Sequence, residues 1–94
     1  MKILFLVNPA TGMPHIYDHG VDEDEVMEIL RNFIDDRPAR NNARSASGQT
    51  RAGRYLRVIY RRDAEPGSKF VITAYDLQGK ALHALKRFKR RKGL

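Results

Sequence analysis

Val26, Ile29, Leu30, Phe33 and Ile34 recur at i, i+3, i+4, i+7 and i+8, the spacing that lays one apolar stripe along an α-helix. The residues ahead of the stripe read as a helix start. Asp22 is an N-cap type, Glu25 stands three residues on to close a capping box, and Val21 and Val26 flank the cap as a hydrophobic staple. Glu23 and Asp24 put negative charge in the first turn, where the helix dipole favours it. Pro38 drives Arg37 out of helical backbone, so the pattern predicts a helix over 23–35. Upstream, residues 2–8 form a short apolar run of the kind that makes a buried strand, broken by Asn8-Pro9-Ala10-Thr11-Gly12. His15 to His19 have room for one helical turn, stopped at Gly20 by a residue suited to left-handed backbone.

The second half changes period. Arg44 to Thr50 reads as a strand, Arg51-Ala52-Gly53 as a hairpin loop, and Arg54 to Arg62 as a stronger strand rich in Tyr, Val and Ile. A turn over Asp63 to Ser68 contains Pro66-Gly67, and Lys69 to Asp76 is the last strand. After Gln78-Gly79, Leu82, Leu85 and Phe88 return to helical spacing inside a basic tail. The expected fold is α+β: an N-terminal strand and helix, a three-stranded antiparallel meander and a basic C-terminal helix, with the helices on one face. A turn centred near Glu65 sets Arg57 opposite Thr73 and Tyr55 opposite Tyr75. Leu56, Val58, Tyr60, Phe70, Ile72 and Ala74 then form the core face, and Tyr55, Arg57, Ile59, Arg61, Val71, Thr73 and Tyr75 the other.

Ninety-four residues make one domain, 1–94, with the basic tail at 86–94. Cysteine is absent, which excludes disulfides and cysteine-ligated zinc and fits a reducing, cytoplasmic setting. The N-terminal apolar run is too short for a signal peptide, and no stretch approaches membrane-spanning length, so no membrane association is expected. The formal charge of +7 is unevenly spread. Residues 1–43 carry four Lys/Arg against eight Asp/Glu, whereas residues 44–94 carry fourteen against three. Segregation of this kind makes a positive face suited to phosphate or to an acidic protein, the alternative being a solvated surface.

Lys86, Arg87, Lys89, Arg90, Arg91 and Lys92 place six cations in seven residues. Such a run can neutralise successive phosphates of RNA or DNA with little sequence preference, or simply end a helix in solvent. Arg54 and Tyr55 join these as RNA-binding candidates. Tyr55, Arg57 and Tyr75 interleave rings and guanidinium on one sheet face, suited to stacking a base and gripping a phosphate or to ordinary cross-strand pairing. His15 and His19, four apart, are candidates for shared general base and acid duty. A metal is not expected, since no third ligand or H-E-x-x-H pattern is present, and no cofactor-binding loop occurs.

Beyond the residue types, His15-Ile16-Tyr17-Asp18-His19-Gly20-Val21, Gly48-Gln49-Thr50, Gly53-Arg54-Tyr55-Leu56-Arg57-Val58-Ile59-Tyr60 and Val71-Ile72-Thr73-Ala74-Tyr75 resemble a small bacterial domain family of unknown function. That family is similar to the BrnT toxins, whose pattern runs through His-Gly-Val, Gly-Arg and an Ile-Ser-Ala-Arg-like final strand. Tyr75 stands where the BrnT pattern has arginine. The resemblance spans about residues 15–92. It implies a RelE-like fold, metal-independent endoribonuclease activity and an antitoxin partner encoded nearby. Within that reading Arg57 would stabilise the phosphate, Tyr75 or His19 would transfer a proton, and the tail cations would hold the strand. A non-catalytic RNA- or DNA-binding module and a basic protein-interaction domain are the alternatives.

Overall fold

In the computed structural model, which describes residues 2–63 and 65–93, the helix start is as the capping residues predict. Helix α1 spans Glu23–Arg31, with the Asp22 side chain accepting from the Glu25 amide and the Glu25 side chain accepting from the Asp22 amide. Val21 and Val26 are both buried. The helix ends earlier than the stripe suggests. Asn32 caps it, Phe33 is exposed, and the Ile34 amide turns to the Ser47 carbonyl at 2.8 Å. Backbone pairing with the sheet thus takes over the last predicted turn, and the chain enters a strand the pattern did not announce, β2 at Asp35–Pro38. The turn ahead of α1 is a 3-10 helix over His15–His19, closed by Gly20 in left-handed backbone.

The sheet has five strands rather than a three-stranded meander beside a separate N-terminal strand. Strands β1 (Lys2–Phe5), β3 (Arg44–Gln49), β4 (Tyr55–Arg62) and β5 (Ser68–Asp76) join β2 in the order β1-β5-β4-β3-β2. Four strands run antiparallel in sequence order, and β1 pairs parallel with β5 at one edge. The predicted 51–53 hairpin loop is present. Ala64, within the predicted 63–68 turn, lies outside the described residues.

Register departs from expectation by two residues. Arg57 faces Tyr75, not Thr73, and Val58 faces Ala74. Because the shift is even, Leu56, Val58 and Ala74 keep the core face, where they bury against Val26, Ile29 and Leu30 of α1. A bulge follows: Ile59 pairs with Thr73 but Tyr60 with Val71, leaving Ile72 as the extra residue. The bulge reverses alternation beyond it. Val71 is therefore fully buried in the core, while Phe70 and Ile72, expected there, are half-buried. At the far edge the buried Tyr60 donates its hydroxyl to Asp36 at 2.7 Å, and Arg44 pairs with the same carboxylate at 3.0 Å. Burial, then the hydrogen bond to Asp36, raises the Tyr60 hydroxyl above the usual tyrosine range.

Helix α2 (Gly79–Arg91) does not join α1. Its Leu85 and Phe88 share a cleft with Asp35, Arg37 and Arg57, and Lys86 and Lys89 stand over the Tyr55 ring at 5.3 and 5.8 Å. Arg57 and Tyr55 alternate with the core-facing Leu56 and Val58, so α2 covers the opposite face of the sheet. The helices lie on both faces, not one. Among the described residues, no helix is long and apolar enough to cross a membrane.

Candidate functional site

One polar row crosses the face beneath α2. Asp35 on β2 is the register partner of Ser47 on β3, Ser47 of Arg57 on β4, and Arg57 of Tyr75 on β5. Ser47 is buried, and its hydroxyl accepts from Arg57 Nε at 3.1 Å. That bond aims a half-buried guanidinium along the row and leaves its two terminal nitrogens for another acceptor. At the β5 end the row continues into the 3-10 turn. The His19 ring meets Tyr75 edge-on at 6.2 Å between centroids, and His15 meets His19 at 5.5 Å.

The structure therefore brings His19 against Tyr75 and sets Arg57 on the neighbouring strand with its guanidinium turned to Ser47, although none of the three is near another in the chain. His15 belongs to the same cluster, with Nδ1 3.2 Å from Asp18 Oδ2, which also accepts from Asn8 Nδ2 at 3.0 Å. Among the described residues, no group of three or more histidine, aspartate or glutamate side chains has metal-binding geometry.

The basic candidates divide. Arg54 is committed internally. Its Nε and one terminal nitrogen bind Asp76 at 2.8 Å each, and the other terminal nitrogen reaches the Gly20 carbonyl at 2.8 Å and Glu25 at 3.0 Å. Donation to the Asp76 carboxylate raises the Arg54 guanidinium above its ordinary range, and the same guanidinium holds the Asp76 carboxyl below the usual carboxylate range. With each guanidinium nitrogen occupied, Arg54 fastens the 3-10 turn, α1 and β5 together rather than presenting itself to a strand of RNA. Tyr55 is half-buried with two ammoniums over its ring, and Lys89 also donates to Gln49 Oε1 at 2.7 Å. Lys92 sits 5.2 Å from the centre of Phe88. Arg87, Arg90 and Arg91 are exposed and line a shallow depression near the end of α2, and Arg91 also borders the cleft beneath the helix.

Sequence reasoning missed Ser47, Asp35 and Arg37. Their signal was weak, because two lie on the unannounced β2 and a serine in a polar segment does not advertise burial. A larger cleft of about 530 Å³ lies between the length of α1 and the β3–β4 loop. Its Asp24 and Glu28 balance Arg31 and Arg51, and Glu28 already accepts from the Arg51 amide at 2.8 Å, so no net charge converges there. The chemistry favours the polar row over the larger space. Comparison of the chain with protein-family models, curated proteins and solved structures gives no match.

Proposed function

We propose that this domain is a RelE-like endoribonuclease toxin that acts in the cytoplasm on single-stranded RNA without a metal, restrained by an antitoxin encoded nearby. The observation that carries the proposal is the His19–Tyr75 ring contact, with Arg57 on the next strand of the same sheet face beside a cationic helix. The motif resemblance supplies the class, and the order strand, helix, antiparallel strands, basic helix is compatible with it.

Cleavage of this kind begins when a base removes the proton from a ribose 2′-hydroxyl. The oxygen attacks the adjacent phosphorus, negative charge gathers on the crowded phosphate, and an acid protonates the departing 5′-oxygen. The products are a 2′,3′-cyclic phosphate and a 5′-hydroxyl. In this reading Tyr75 and His19 move the protons. Arg57, its Nε already anchored on Ser47, has two nitrogens left for the phosphate oxygens. Lys86, Arg87, Lys89, Arg90, Arg91 and Lys92 hold the strand electrostatically.

A second reading, RNA binding without chemistry, is favoured by the position of Arg57 beneath Leu85 and Phe88, which suits a fixed phosphate clamp. Single-turnover cleavage in chelator, at matched RNA occupancy, separates the two. Tyr75→Phe, His19→Ala and Arg57→Lys are each expected to slow cleavage tenfold or more, about 1.4 kcal/mol in the barrier, at near-parent melting temperature. Full activity in the Arg57 variant removes the proposed centre. A well-folded, RNA-bound parent that cuts nothing leaves the binding module.

A further inference from the structure

Between α2 and the sheet is a cleft of about 200 Å³ whose two walls differ in chemistry. The sheet wall is polar, with Asp35 and Arg37 from β2 and Arg57 from β4. The helix wall is apolar, with Leu85 and Phe88, and ends in the guanidinium of Arg91. Charge in the cleft does not cancel. Asp35 is already paired by Arg37, whose Nε lies 2.7 Å from its carboxylate. Arg57 and Arg91 stay uncompensated within the lining, and Lys92 adds a further cation beside Phe88.

We infer that this cleft is a nucleotide subsite, in which Arg91 and Arg37 hold a phosphate next to the one at Arg57 and the base lies against Phe88. Guanidinium forks match phosphate oxygens, and an apolar aromatic wall beside them suits a base flipped out of a stack. A duplex has no such free base to offer, so the cleft selects a splayed single strand. The subsite rests on the proposal that this surface takes single-stranded RNA, and it fixes how that strand lies. Arg37 is two strands from Arg57, about 10 Å across the sheet, on the side away from Tyr75 and His19. The nucleotide in the cleft is thus the neighbour of the one at the proposed scissile bond. It anchors the strand while the bond beside it is presented to His19 and Tyr75.

The test uses ligands that the 2′-hydroxyl route cannot cut. Adenosine monophosphate, adenosine and a 2′-O-methyl tetranucleotide are titrated into the full chain and followed by calorimetry. The parent is expected to bind the monophosphate at least tenfold more tightly than adenosine, or to bind the tetranucleotide with the same dependence on its phosphates. The first outcome assigns the cleft to a terminal phosphate, the second to an internal one. Arg91→Ala, at an exposed position in the last turn of α2, removes the preference and lowers the salt slope for the tetranucleotide by about 0.7. Phe88→Leu weakens both phosphate-bearing ligands while leaving that slope in place. Unchanged affinity and slope in the Arg91 and Phe88 variants overturn the subsite even if the parent cleaves RNA. Binding that depends on Arg91 in a parent without cleavage keeps the subsite and removes only the chemistry.

Discussion

Arg54→Ala should destabilise the domain by about 2 kcal/mol without flattening the salt dependence of RNA binding. Two groups of contacts set the magnitude. The bidentate pair with Asp76 is made to a carboxylate that is 41% exposed, so it belongs near the surface range of about 0.5–1 kcal/mol. The other terminal nitrogen serves Glu25, which is 22% exposed, and the Gly20 carbonyl. Truncation leaves both short of a donor in a more sheltered place, which costs about 1–2 kcal/mol. With a urea slope of about 1 kcal/mol per molar, the midpoint should fall by roughly 2 M. Glu25→Gln is the control, since an amide oxygen can still accept in the capping box while the charge that pairs with Arg54 is lost. It should show a smaller drop. The pH dependence has a defined sign. Asp76 is depressed in the folded protein, first by the hydrogen bonds from Arg54, so its contribution is complete above the unfolded carboxylate value near 4. It is lost as pH falls through the folded value. The gap between parent and variant should therefore narrow in acid by the Asp76 share alone, with the Gly20 contact remaining. An unchanged urea midpoint at neutral pH, together with weaker RNA binding and a flatter salt slope, would refute the structural role and return Arg54 to the binding surface.

Two further predictions concern the joint between α1 and the sheet. Asp22→Ala frees amide donors at the helix start and should lower stability by about 1 kcal/mol in denaturant unfolding. Gly48→Ala puts a methyl 3.3 Å from the Asn32 carbonyl oxygen and 3.4 Å from Phe33 Cα, where β3 meets the end of α1. Overpacking there should cost about 1–3 kcal/mol, read as a lower thermal midpoint.

Local signals in the chain were enough for most elements. The Asp22–Glu25 box, the Gly20 stop, the Gly53 loop and the basic amphipathic stretch of α2 each act within a few residues, so their chemistry is complete in the sequence. His19 and Tyr75 were legible only as residue types, with nothing in the chain to set their elements side by side. Their distance came from the docking of the 3-10 turn on β5.

What the chain determined alone is most of the helical and extended segments, those between 32 and 43 excepted, where α1 begins, and that cations gather in the second half. Tertiary structure decided the rest, because the deciding contacts join distant positions. Asp35–Pro38 carries little strand propensity and becomes β2 only because β3 offers it a ladder of backbone partners. Phe70 and Val71 exchange faces because one bulge at Ile72 resets a period of two, a local event that no alternation pattern contains. Arg54 and Arg57, three residues apart and alike in sequence, separate in the same way. The carboxylates of Asp76 and Glu25 close around the first, whereas Ser47 holds the second with two nitrogens free toward the cleft.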